Sequence, residues 1–219
     1  MVPIVSVVGR SNSGKTTLLE KLIRELTARG RRIGTIKHHF HGPVEVDVPG
    51  KDSWRHRQAG ARVVALASRD TLFIVGETPA EWPLQQIAHQ ALFDVDLILT
   101  EGFKSGPMPK IEVNRAAQNL SLLCGPEDHL MAVVSDCELP VSVPRFDLEE
   151  VGPLADFIEG KYLAGARRCR VDVLVDGRWL FLEKETQEIL ARVVRSLVGD
   201  PRELSSGPPI ELRIHGSLP

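Results

Sequence analysis

The chain is short of the features that mark several large protein classes. It has only three cysteines, Cys124, Cys137 and Cys169, far apart in sequence. They build neither a disulfide framework nor a C-x-x-C metal site, so free thiols in a reducing compartment are expected. No apolar run approaches the ~18 residues of a membrane span. The first apolar run, Ile4 to Val8, is too short for a signal peptide, which places the expected location in the cytoplasm. Net charge is only −2, so no general nucleic-acid surface is indicated, and neither nucleic acid nor membrane is an expected partner. Internal repeats and low-complexity tracts are absent. With 219 residues, 42% hydrophobic and 26% charged, the composition is that of an ordinary globular chain with one large domain, or one plus a small one.

What is present is concentrated near the N-terminus. Gly9-Arg10-Ser11-Asn12-Ser13-Gly14-Lys15-Thr16 reads G-x-x-x-x-G-K-T. A β-branched run, Ile4 to Val8, precedes it, and Leu18, Leu19, Leu22, Ile23 and Leu26 follow at helical spacing. Strand, glycine loop and helix together are the context of a phosphate-binding loop. Gly9 and Gly14 permit backbone angles that side chains oppose, so the loop amides turn inward around phosphate oxygens. The helix contributes its positive dipole end. Lys15 is expected to reach the β- and γ-phosphates, Thr16 to hold Mg²⁺, and Thr17 to touch a further phosphate.

A helix from about Lys15 to Arg29 stops at Gly30, and a strand over Arg32 to Lys37 follows. The loop from His38 to Asp52 holds His38, His39 and His41, acids including Asp47, and Lys51. Asp47 is a candidate for the Mg²⁺ shell, and Lys37 and Lys51 for anion contacts. The H-H-x-H spacing lacks the i, i+4 geometry of a strong metal motif, so polar-loop and metal readings both stand. A short helix is expected over Trp54 to Ala59. A hairpin of Arg62–Ala67 and Thr71–Val75 follows, then a helix from Trp82 to Phe93.

The strand Asp94 to Thr100 ends in Glu101-Gly102. In phosphate-loop folds a strand parallel to the first delivers an acid beside Mg²⁺, and Glu101 fits that role or that of orienting a water. Lys110 to Asn114 alternates like a strand. Leu130 to Ser135 reads as another, ending in Asp136, where such folds contact the base. No N-K-x-D signature is present, so base choice does not follow from these residues. Val141 to Pro144 reads as an edge strand and Leu148 to Glu159 as a helix. Composition changes over Gly160 to Arg168, which sets expected domains at 1–165 and 166–219. The second is a small β-β-α-β unit, with a hairpin turning at Asp176-Gly177, a helix over Glu185–Val198 and a strand over Ile210–Ile214.

GRSNSGKTT, the block TIKHHFHGPVEVDVPGKDSWRHRQAGA, LILTEGFK, PKIEVNR and AVVSD occur in that order. Together they resemble the molybdopterin-guanine dinucleotide biosynthesis protein B family over residues 1 to about 160. The resemblance implies an α/β, three-layer P-loop NTPase fold with a mostly parallel sheet. It implies a GTP-binding adaptor with weak GTPase activity that assists attachment of GMP to molybdopterin. The implied partners are the molybdenum cofactor guanylyltransferase, molybdopterin-binding proteins and a second copy of the chain. Carried over by position, Gly9, Arg10, Ser11, Asn12, Ser13, Gly14, Lys15, Thr16 and Thr17 bind the phosphates. Asp47 and Glu101 match the acids near the metal. The cofactors implied are GTP and Mg²⁺. No arginine finger is evident, although Arg10 is an internal candidate. A small-molecule kinase with Asp47 or Glu101 as base, and a nucleotide-gated metal-delivery protein using His38, His39 and His41, are the alternatives.

Overall fold

The computed structural model describes residues 2–39, 44, 46–92, 95–117, 121–163, 171–175, 178–180, 185–186, 189–190, 192–193, 196 and 210–214. The chain divides into two compact units, Met1–His38 with Gln85–Pro219, and His39–Leu84. The division expected at 165/166 falls in a stretch outside the described residues and stands as a proposal.

The first unit is built on a six-stranded sheet. Its strands are β1 (Ile4–Gly9), β2 (Ile33–Lys37), β5 (Leu97–Glu101), β6 (Lys110–Asn114), β7 (Leu130–Ser135) and β8 (Arg145–Phe146). They lie in the order β2-β5-β1-β6-β7-β8. Every pair is parallel. Parallel strands require crossovers, so apolar runs alternating with helices are the sequence form of such a sheet. Here α1 (Lys15–Ala28) links β1 to β2, α3 (Leu84–Ala91) precedes β5, and α4 (Val151–Ile158) follows β8.

Side chains alternate across the sheet. Val5, Val7, Leu97, Leu99, Ile111, Val113, Ala132 and Val134 form one core with Leu18, Leu19, Leu22 and Leu26 of α1 and Leu154, Ala155 and Ile158 of α4. Each valine, leucine or isoleucine among them contributes about 1.5–3 kcal/mol on burial. The intervening positions are also buried, but many are polar: Ser6, Thr100, Lys110, Glu112, Asn114 and Ser135. Ser6, Thr100, Lys110 and Glu112 are satisfied locally. Thr100 Oγ1 lies 2.9 Å from Ser6 Oγ. Lys110 Nζ donates to the carbonyls of Gly106 (2.6 Å) and Asp128 (2.6 Å). Glu112 accepts from the amides of Leu123 (2.7 Å) and Cys124 (2.9 Å), which ties down the segment after β6. Burial pushes the Glu112 carboxyl above its ordinary value despite those two amides.

The edge strand is displaced from its expected place at Val141–Pro144. Pro144 has no N–H, but its carbonyl accepts from Val133 at 3.0 Å, and pairing begins at Arg145. In the tail, β9 (Val171–Val175), β10 (Arg178–Leu180) and β11 (Ile210–Ile214) make a three-stranded sheet, β9 antiparallel to β10 and parallel to β11. The described residues between 185 and 196 are helical. The turn at Asp176-Gly177 lies outside the described residues. The β-β-α-β order holds.

The second unit contains α2 (Asp52–Gln58) and an antiparallel hairpin, β3 (Val63–Ala67) and β4 (Leu72–Gly76). Ser68 and Thr71 close the turn, with Ser68 N donating to Thr71 O at 2.8 Å.

Candidate functional site

The C-terminal edge of the parallel sheet gathers the residues that the sequence singles out in the first unit. β1 lies between β5 and β6, with Val7 level with Glu101 and Gly9 level with Val113. The loop from Gly9 to Gly14 leaves this edge and enters α1. Its backbone takes left-handed angles at Gly9 (φ 149°), Asn12 (φ 60°) and Gly14 (φ 95°). A Cβ on Gly9 would stand 2.5 Å from the Val113 carbonyl and 2.7 Å from Ser13 Oγ, so only glycine fits.

The start of α1 is open. Gly14 provides no side-chain cap, and no acid lies in the first turn. The first amides of a helix have no intrahelical acceptor, and the dipole is positive here. Such an end is suited to an anion. Lys15 stands over it, donating from Nζ to the carbonyls of Gly9 (3.1 Å) and Arg10 (2.6 Å). Burial lowers the Lys15 pKa from its ordinary value, Glu101 acts the other way, and Lys37 adds to the lowering.

Thr16 Oγ1 lies 3.0 Å from both carboxylate oxygens of Glu101. Lys37 Nζ is 3.6 Å from Glu101 Oε1. A hydroxyl and a carboxylate joined this way are hard oxygen donors, the type Mg²⁺ takes beside phosphate. That fits the group. The strand end is held in place by His38 N donating to Glu101 O (3.1 Å) and Gly102 N donating to Val7 O (3.0 Å). Gly102 at φ 98° lets the chain turn away, and the rings of His38 and Phe103 then stack at 4.7 Å.

Asp47 belongs to the other unit. There its Oδ1 accepts from Ser53 Oγ at 2.8 Å, while Oδ2 is buried without a hydrogen-bond partner among the described residues. His41 lies outside the described residues. Among the described residues no three His, Cys, Asp or Glu side chains gather as a metal site. Arg10 donates to Ser121 Oγ at 3.2 Å. Ser11, Asn12 and Thr17 are exposed along the loop and first turn, and Ser13 is buried. Asp136 is exposed beyond β7, and its Oδ1 accepts from Ala116 N at 2.9 Å.

One residue at this edge has no role in the sequence reading. Arg115 donates from Nε to the Ser13 carbonyl at 3.1 Å, and its guanidinium would meet a Cβ on Gly14 at 3.2 Å. The available signal is a cation placed directly after a strand that alternates like a buried one.

Residues 4–136 match the family described as MobB, molybdopterin guanine dinucleotide synthesis protein B. The chain is 42% identical over 173 residues to the molybdopterin-guanine dinucleotide biosynthesis adapter protein of Haemophilus influenzae, covering 76% of this chain and 94% of that protein. It is 40% identical over 166 residues to the protein of the same name from Escherichia coli, covering 72% and 92%. Among solved structures, Bacillus subtilis MobB superposes with a TM-score of 0.58 at 27% identity, covering 74% of this chain and 99% of that one. A molybdopterin-guanine biosynthesis protein B structure gives 0.57 at 30% identity, covering 73% and 99%. The six-stranded sheet is therefore an α/β fold like that of the MobB structures, consistent with the P-loop NTPase architecture.

Proposed function

The chain belongs to the MobB family, and from that premise we propose that it is a GTP-binding adapter in the formation of molybdopterin guanine dinucleotide. The observation that carries the nucleotide part is the uncapped start of α1, with Lys15 above it and the Thr16–Glu101 pair beside it. A triphosphate replaces the carbonyls of Gly9 and Arg10 as the acceptor for Lys15, and the loop amides take its β-phosphate. Thr16 and Glu101 are the proposed Mg²⁺ residues; Asp47, the second acid implied by the family resemblance, lies in the other unit, where its Oδ2 has no partner among the described residues. When bound, Mg²⁺ neutralises charge on the β- and γ-phosphate oxygens.

Hydrolysis in this reading is slow. An arginine on the transferring phosphate is worth about 10³–10⁵ in rate. Arg10 is turned to Ser121 and Arg115 to the Ser13 carbonyl, so neither is committed to that task. Slow turnover suits an adapter, whose bound nucleotide marks a state that a partner reads.

The proposed partners are the guanylyltransferase that attaches GMP to molybdopterin, molybdopterin-binding proteins and a second copy of this chain. The β3–β4 hairpin supports the dimer. Val63, Ile74 and Leu72 share one face by register and are 60%, 58% and 53% exposed. Three large apolar side chains in one patch suit an interface. Among the described residues no helix is long and apolar enough to cross a membrane. Cys124 and Cys137 are free thiols, which fits the proposed cytoplasmic location.

The test combines the purified chain with a guanylyltransferase, molybdopterin and GTP. The expected result is faster dinucleotide formation than with the transferase alone, and loss of the gain with Lys15→Ala. An equal rate with and without the chain would contradict the adapter role. The kinase and metal-delivery alternatives gain no observation of their own among the described residues.

A further inference from the structure

β6 and β7 end level with one another. Asn114 is the register partner of Ser135, so the next residue of each, Arg115 and Asp136, leave the sheet side by side. Adjacent strands lie roughly 4.8 Å apart, which sets the scale of the corner. Val113 of the same strand is level with Gly9, so the corner adjoins the phosphate loop. Arg115 is braced there by its 3.1 Å bond to the Ser13 carbonyl. Asp136 is fixed by the Ala116 amide at Oδ1. Among the described residues neither side chain has an ion-pair partner, so the outer guanidinium nitrogens and Asp136 Oδ2 keep hydrogen-bonding capacity. Below them, Asn114 is 4% exposed and its Oδ1 has no partner among the described residues. A buried orphan acceptor of this kind marks a corner whose hydrogen bonding is incomplete without a further group.

We propose that Arg115 and Asp136 form the nucleobase end of the site and select guanine. This rests on the GTP reading above. A planar guanidinium held by one nitrogen is a platform for a flat ring, by stacking and cation–π attraction. Guanine presents two adjacent donors on its Watson–Crick edge, N1–H and the 2-amino group. A carboxylate with a spare oxygen accepts from both. Adenine presents its N1 lone pair at that place, which a carboxylate repels, and it lacks the 2-amino group. The absent N-K-x-D signature is thereby replaced in space: the cation follows β6, and the acid comes from the neighbouring strand β7.

The experiment is calorimetric titration of the full chain with Mg²⁺ and GTP, ITP, XTP or ATP. The variants are Asp136→Asn and Arg115→Ala, each accepted only with an unchanged melting temperature. The wild type is expected to prefer GTP over ITP and ATP. Asp136→Asn is expected to weaken GTP about 10- to 100-fold and to strengthen XTP, whose 2-oxo group accepts from the new amide. Arg115→Ala is expected to weaken all four about tenfold, leaving their order unchanged. An unaltered GTP-to-XTP ratio in Asp136→Asn, or equal affinity of the wild type for GTP and ATP, overturns the base assignment while the phosphate site stands. Unchanged affinity in Arg115→Ala overturns the platform. If the wild type binds none of the four, the GTP reading falls and takes this inference with it.

Discussion

Two pairs of strands in this chain are built from the same residue types and end in opposite surroundings. β1 and β5 are buried on both faces, with Val5, Leu97, Ile98 and Leu99 all at 0% exposure. β3 and β4 are as rich in valine, leucine and isoleucine, yet Val63, Leu66, Leu72 and Ile74 are each about half exposed or more. Apolar composition therefore marks a strand but does not say what covers it. On the face of the six-stranded sheet that carries Val5, Leu97 and Leu99, the cover is supplied by α1 and α4 of the same chain. In the hairpin unit Val63, Leu72 and Ile74 stay exposed, and the two regions answer to different tests.

The largest expected effect is in the sheet. Leu99→Ala leaves a cavity in a fully packed core and is expected to cost about 2–5 kcal/mol in urea unfolding. Ile74→Ala, on the hairpin, is expected to change unfolding of the isolated chain by less than about 0.5 kcal/mol. Equal costs at the two positions would erase the contrast. Next comes Glu112, whose carboxylate holds the Leu123 and Cys124 amides. Glu112→Gln keeps one acceptor and strands the other amide, for an expected loss of about 1–3 kcal/mol.

Ile74→Lys sharpens the hairpin side. It is expected to shift sedimentation toward monomer while the melting temperature of the monomer is kept. A wild type that sediments as a monomer would remove the dimer proposal.

The smallest effect belongs to the surface network in which Arg29 meets Glu25 (2.8 Å), Asp156 (2.6 Å) and Glu159 (2.9 Å), and Arg31 meets Glu159. Hydrogen bonds from Arg29 and then Arg31 lower the Glu159 pKa. The folded chain then binds this proton less tightly than the unfolded one. Its contribution is present above the ordinary 4.5 and is lost as pH falls through the lowered folded value. Solvent screening keeps it to about 1 kcal/mol or less. Comparison of wild type with Glu159→Gln over a series from pH 7 downward should show a gap at pH 7 that shrinks as the pH falls below 4.5.

The same contrast governs what was legible in the sequence. Gly9 to Thr16, the apolar spacing of α1 and the Glu101-Gly102 strand end are short-range patterns, and the structure brings Lys15, Thr16 and Glu101 together as those patterns imply. The hairpin 63–76 was equally readable as a local unit. That His39–Leu84 is a compact body of its own was not, because compactness depends on contacts no local pattern encodes. The place of Arg115 is not encoded locally either. Its partner, Ser13, lies 102 residues away, and only the register of β6 beside β1 brings the two together. Fold analogy alone points Asp136 toward the base, while its neighbour across the strands follows only from the Asn114–Ser135 register.

The central claim is that the open start of α1 with Lys15 is a triphosphate site. Its most direct measurement is calorimetric titration of Mg²⁺–GTP into wild type and Lys15→Ala. The prediction is saturable one-site binding by the wild type, weakened at least about 100-fold by the substitution, as expected for loss of charge-assisted bonds to phosphate. Equal affinity of the two proteins for GTP would contradict it.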